Sequence, residues 1–272
     1  MIPAIWTSYF MELAPEAMVD SFAEAGWPQL ELSDEHALAL LERGDAPAVG
    51  EDFKRYAAGH GVAFPQGHLW LACDIAAPDQ QPVIDGLRTW LDLFAALDVR
   101  AAVLHPGGKA LLEQGCTAEA LFEARVKALT ALTEHVAGTP VTLCLENIPS
   151  KAPEAGDLCT LIEAVGGNHL GICLDTGHLN LASRDQGGFI RQAGRLLKAL
   201  HIADNDTSSD QHLMPYGGGT VPWGEVVAAL REIGYSGLFN LEIPGERNGP
   251  MPIKLAKLDY AKTLLAHLLG AR

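Results

Sequence analysis

Gly171-Ile172-Cys173-Leu174-Asp175-Thr176-Gly177-His178-Leu179-Asn180-Leu181 is the stretch on which the fold turns. Mostly apolar residues of strand character run into an acid, a Thr-Gly turn and, three positions after the acid, a histidine, so a strand here ends in metal-ligand chemistry. Asp-Thr-Gly is also turn chemistry, and Asp175 can equally cap a helix. If the metal reading holds, the other strands of the chain should end in the same way.

Outward from this stretch, short apolar strands alternate with amphipathic helices. Towards the C-terminus the pattern predicts a helix over 189–197, a strand over 199–202, a helix over 223–233, a strand over 238–242 and a closing helix over 254–269. Towards the N-terminus it predicts helices over 157–165, 118–136 and 81–97, interleaved with strands over 141–146 and 101–105. A strand over 62–68 carries Pro65, which weakens its ladder. Before it come a strand over 29–32, a helical region closing at Gly59-His60-Gly61, a first strand over 2–6 and a helix over 15–25 with Pro15 at its start and Gly26 after its end. Eight βα units in 272 residues are about 34 residues each, which suits an α/β chain folded as one (β/α)₈ TIM barrel over 1–272. No linker, low-complexity tract or second domain is visible.

Composition narrows the partners. With 48% hydrophobic residues the chain can bury one large core. Its formal charge of −15 gives no general attraction to phosphate polymers, and there is no Lys/Arg run, so nucleic acid is a disfavoured partner. Five cysteines, Cys73, Cys116, Cys144, Cys159 and Cys173, without CxxC spacing point to reduced thiols in a cytoplasmic protein. No segment reaches the roughly 18 apolar residues of a membrane span, and no targeting segment is read at the start, so a soluble protein is expected. A homo-oligomer is compatible with all of this.

The strand ends line up. Glu31, His68, His105, Glu146, Asp175, His201 and Glu242 stand at or beside the C-terminal ends of seven different strands, and a barrel gathers those ends on one face. Side chains alternate along a strand, so Glu146 shares its inward face with Cys144, Asp175 with Cys173 and Glu242 with Asn240. The two cysteines then read as small interior fillers. Glu146, Asp175, His201 and Glu242 offer three carboxylates and one imidazole, a set that suits Mn²⁺, Co²⁺, Zn²⁺ or Mg²⁺. His68 and His105 add imidazoles beside Glu146. Asp210 and His212, two apart in a loop, could hold a further metal with His178. The run Gly217-Gly218-Gly219 reads either as a phosphate cradle or as a closing loop. No nucleotide cofactor is expected.

Leu143-Cys144-Leu145-Glu146-Asn147, Cys173-Leu174-Asp175-Thr176-Gly177-His178, His201-Ile202-Ala203-Asp204-Asn205-Asp206 and Leu241-Glu242 resemble the metal-binding strand ends of the xylose-isomerase-like TIM barrels. That superfamily holds sugar and sugar-phosphate isomerases and epimerases, inosose dehydratases and apurinic-site endonucleases, and the resemblance runs from Glu31 to Glu242. In the ketose 3-epimerase branch it implies a metal on Glu146, Asp175, His201 and Glu242. Glu146 and Glu242 then double as the two acid/base groups, and His178 touches substrate oxygens. In the endonuclease branch it implies three zinc ions, on His68, His105 and Glu146, on the same four residues, and on His178, Asp210 and His212.

The expectation is a metal-dependent isomerase or epimerase of a ketose or related polyol-derived carbohydrate. The metal would chelate the carbonyl and neighbouring hydroxyl and stabilise the enediolate, with Glu146 and Glu242 moving the proton on opposite faces. Glu31 is expected either behind the metal ligands or at a substrate hydroxyl, His178 at the substrate oxygens, and Trp6, Trp70, Trp223 and Phe10 either at the sugar's apolar face or in the core. The alternatives are a multinuclear zinc phosphoester hydrolase and an inosose-dehydratase-like lyase. Lys109 and Lys151 are the few cations near the strand ends, too few for a phosphate track.

Overall fold

The computed structural model describes residues 1–149 and 155–270; Lys151 lies outside them. The strands are β1 (Ile2–Trp6), β2 (Gln29–Leu32), β3 (Ala63–His68), β4 (Ala101–Leu104), β5 (Thr142–Glu146), β6 (Leu170–Asp175), β7 (Leu197–His201) and β8 (Leu238–Leu241). The helices are α1 (Pro15–Glu24), α2 (Asp34–Leu41), α3 (Ala46–Gly59), α4 (Gln81–Ala96), α5 (Lys109–Glu113), α6 (Ala118–His135), α7 (Ala155–Val165), α8 (Thr176–Leu181), α9 (Gln186–Ala193), α10 (Trp223–Glu232) and α11 (Met251–Leu269). All ladder pairs are parallel, in the order β7-β6-β5-β4-β3-β2-β1-β8. The seam between β7 and β8 is closed just past the strand ends. Ile202 N–H donates to Asn240 O at 2.8 Å, and Glu242 N–H donates to Ile202 O at 3.1 Å. The result is an eight-stranded barrel in its helical jacket, as the eight-unit spacing predicts.

Local chemistry sets the element ends. Asp45 and Thr117 cap α3 and α6 by accepting the amides of Ala48 and Ala120. All six residues of β6 are buried, as a parallel strand covered on both faces requires. The helix predicted over 189–197 stops at Ala193 because Gly194 turns the chain with φ 51°, and β7 starts two residues earlier than expected. Three short elements escape the periodicity reading: a 3₁₀ turn at Thr7–Phe10, α5 and α8. None is long enough to show a period.

Inside the barrel the register is staggered. Val103 stands opposite Cys144, Glu146 opposite Cys173, and Asp175 opposite His201. Ala101, Val103, Cys144, Cys173 and Ala199 form a small buried apolar cluster of their own, apart from the large core between sheet and helices. Burial pushes the Cys144 thiol up to about 12 and that of Cys173 upward too, so both are inert fillers at neutral pH. Among the described residues no helix is long and apolar enough to cross a membrane.

Candidate metal centre

Glu146, Asp175, His201 and Glu242 converge one storey above that apolar cluster. Each offers a ligand atom, and these atoms lie within 4.8 Å of one another. All four residues are buried, and each keeps one buried atom without a hydrogen-bond partner: Glu146 Oε2, Asp175 Oδ2, His201 Nδ1 and Glu242 Oε2. Buried polar atoms are rarely left unpaired, because each such vacancy costs about 1–3 kcal/mol. Four in one spot, three of them carboxylate oxygens, fit a hard or borderline divalent cation.

Asp175 divides its labour. Oδ1 accepts the His178 amide at 2.5 Å and caps α8, while Oδ2 faces the ring. The capping and metal-ligand readings of this acid are therefore compatible. Asn147, to which the sequence pattern assigns no role, holds the acid in place. Its side-chain amide donates to Asp175 O at 2.9 Å and accepts Asp175 N–H at 2.8 Å, continuing the β5–β6 ladder past the strand end.

Two more groups flank the ring. His68 and His105 bring Nε2 to 3.5 and 3.3 Å from Glu146 Oε2. His178 and His212 bring Nε2 to the same oxygen, Asp210 Oδ2, at 3.2 Å each. Both triplets can hold a metal by the spacing of their donor atoms. Their imidazoles are wired in advance. His68, His178 and His212 give Nδ1–H to the carbonyls of Leu69, Asn147 and Glu242, at 2.6, 2.8 and 2.8 Å, which leaves Nε2 for a ligand. His212 reaches its place from a left-handed backbone, φ 47°, pinned by the bridge between Leu213 and Asp204.

Charge is shared unevenly across the ring. Burial lowers the His178 imidazole, but the Asp175 charge and the contacts with Asp210 and Glu146 outweigh it and push it up to about 12. The same contest takes His212 up to about 10, through Asp210 and Glu242, and His68 to about 9, through Glu146. Burial raises both glutamates. For Glu146 the charges of His201 and His105 prevail and hold it well below its ordinary range, whereas Glu242, beside Asp175 and Glu146, rises to about 8.

Some expected substrate contacts are placed elsewhere. Glu31 is fully buried, with one oxygen on His201 and the other on Asn240. It sits in register with Gln66 rather than with the strand-end His68, a step below the ring, so it presents no free oxygen to a substrate. Trp223 belongs to the core and gives its indole N–H to Asp204 at 2.9 Å, and Phe10 is buried against Tyr9 and Phe22. Neither offers a sugar-stacking face. Trp6 is part-buried with an unpartnered indole N–H, and Trp70 is 37% exposed. The last residue of the glycine run, Gly219, lies against the protein's own Asp204. Asp204 Oδ1 accepts the amides of Asn205 and Val221, and a Cβ on Gly219 would come within 2.0 Å of it.

An eight-stranded parallel barrel with carboxylates and imidazoles ringed at the C-terminal strand ends defines a (β/α)₈ protein with a candidate site on the face where such barrels carry theirs. The chain belongs to the xylose isomerase-like TIM barrel family, whose model matches residues 19–268. A D-psicose 3-epimerase of Enterocloster bolteae is 36% identical over 81 residues, 30% of this chain and 25% of its own. A protein named "Probable endonuclease 4" from Bacillus velezensis is 29% identical over 136 residues, 45% of this chain and 44% of its own. The match thus spans less than half the length of either relative. A crystal structure of D-psicose 3-epimerase in the presence of D-fructose matches with a TM-score of 0.82 at 19% identity, covering 100% of both chains. At that identity the likeness is one of fold.

Proposed function

We propose that the chain is a divalent-metal-dependent sugar isomerase or epimerase acting on a ketose or a related polyol-derived carbohydrate. The observation that carries this reading is the ring of four unpartnered donors on Glu146, Asp175, His201 and Glu242. The family and the epimerase names among the chain's relatives support it. When bound, a divalent cation would supply Lewis acidity to a sugar carbonyl and its neighbouring hydroxyl.

The chain's own residues would do the rest. Glu146, surrounded by imidazoles, is the carboxylate suited to take a proton from carbon. Glu242, beside other carboxylates, is the one suited to return it from the opposite side. His178, with Nδ1 3.1 Å from Glu146 Oε1 and Nε2 on Asp210, is the imidazole suited to hold a substrate oxygen once Asp210 yields Nε2, and Asn147 fixes the Asp175 backbone that precedes it. Trp6 and Trp70 remain as the aromatic surfaces for sugar C–H groups. The test is incubation with Mn²⁺ and a panel of ketoses in D₂O. Deuterium should enter the carbon beside the carbonyl, and no exchange with any sugar would sink the reading.

The two flanking triplets favour a second reading, a multinuclear metal phosphoester hydrolase. Three metals per chain, with cleavage of an abasic-site oligonucleotide, would establish it. Against it, Lys109 is 87% exposed and its ion-pair partner is Glu113 at 4.0 Å, not a residue of the ring.

A further inference from the structure

Four histidines at the ring have one nitrogen committed to the protein, and one of the four is wired differently. His68, His178 and His212 are each backed by a neutral backbone carbonyl on Nδ1. His201 is backed by a carboxylate on Nε2, Glu31 Oε1 at 2.9 Å. Its Nδ1 therefore faces the ring, 3.3 Å from Glu146 Oε1 and 3.3 Å from Glu242 Oε2, without a hydrogen-bond partner. Glu31 is itself fixed, because its Oε2 accepts from Asn240 Nδ2 and no part of it reaches solvent.

We propose that Glu31 is a positioning residue for the metal centre: it holds His201 in the Nε2–H form, aims Nδ1 at the ring and makes His201 a more basic donor than its carbonyl-backed neighbours. A carboxylate is the stronger acceptor, and a partner behind a ligating imidazole both orients the ring and raises its basicity. The strand carrying Glu31 is not a neighbour of β7, since β8 and β1 lie between them in the closed barrel. Glu31 reaches His201 through the barrel interior, so the contact also ties the ring to a strand that no ladder joins to β7. Asn240, at Oε2, keeps the carboxylate from rotating away.

The inference rests on the divalent-metal reading of the ring and is independent of which reaction the ring performs. It is tested on the full-length chain, stripped of metal and titrated with Co²⁺ against a chelating dye. Glu31→Ala should weaken Co²⁺ binding about 10- to 100-fold and shift the visible Co²⁺ bands. Glu31→Gln, nearly isosteric and still an acceptor for Nε2–H, should lose less. In a His201→Ala background the same Glu31→Ala change should cost nothing further. Co²⁺ affinity equal to wild type in a folded Glu31→Ala or Glu31→Gln protein would overturn the proposal. So would an equal loss in the His201→Ala background, which would assign Glu31 to packing alone. If Glu31→Ala does not fold, Glu31→Gln and its His201→Ala double variant carry the same comparison. A wild-type chain that takes up no Co²⁺ would instead remove the metal reading itself, and Glu31's role with it.

Discussion

Along β5, β6 and β7 the inward side chains come in two storeys: Cys144, Cys173 and Ala199 below, and Glu146, Asp175 and His201 two residues above. The same backbone builds both, and strand alternation decides which side chains face inward. The lower storey is closed, an apolar cluster. In the upper storey each of the three residues keeps an unpartnered buried atom. A barrel interior needs filling only to its rim, and at the rim the sequence exchanges packing for donors. The contrast locates a ligand site without reference to any relative.

The largest effect should come from the upper storey. Glu146→Gln should lower deuterium exchange into ketose by about 10²- to 10⁴-fold, the worth of a positioned acid/base group, with circular dichroism unchanged; retained exchange would remove Glu146 from that role. The lower storey should answer in stability instead. Cys173→Asn buries an amide among apolar neighbours and should cost about 1–3 kcal/mol in denaturant unfolding, whereas an unchanged midpoint would mean that this layer is wet.

The imidazoles that flank the upper storey also titrate. Without metal, His68, His212 and His178 hold their protons up to about 9, 10 and 12. A cation held by the flanking triplets would have to displace them, so occupancy of those two sites should keep rising with pH to 9 and beyond, by up to about tenfold per unit for each proton released. Binding already flat above pH 7 would show imidazoles of ordinary basicity. The smallest effect belongs to Cys144→Ala. It should cost about 1 kcal/mol as a small buried truncation and leave Mn²⁺ affinity alone, and a loss of metal would break the separation of the storeys.

Much of this was legible in the chain. Strand–helix alternation carried the barrel, and parity placed Glu146 with Cys144 and Asp175 with Cys173. Parity does not carry shear, however. Glu31 stands at a strand end in sequence, yet its strand is displaced in register, so it lies beneath the ring and turns both oxygens inward. Burial misled the aromatic assignments in a similar way. Trp223 opens a helix beside a candidate loop, but its N–H turns inward to Asp204 Oδ2, whose other oxygen takes two backbone amides. Asn147 was invisible because its part is to imitate backbone, and no residue pattern marks an amide that completes a ladder.

Asp175 joins two things usually measured apart. One oxygen secures the first turn of α8 and the other faces the ring, on a side chain with a single rotatable plane. Ligation at Oδ2 would fix that plane, and a fixed plane would keep Oδ1 on the His178 amide. By thermodynamic reciprocity, whatever steadies the helix start also favours the cation, and the cation steadies the helix start by the same factor. On the metal reading, the exchange rate of a single backbone proton, that of His178, would gauge how full the site is.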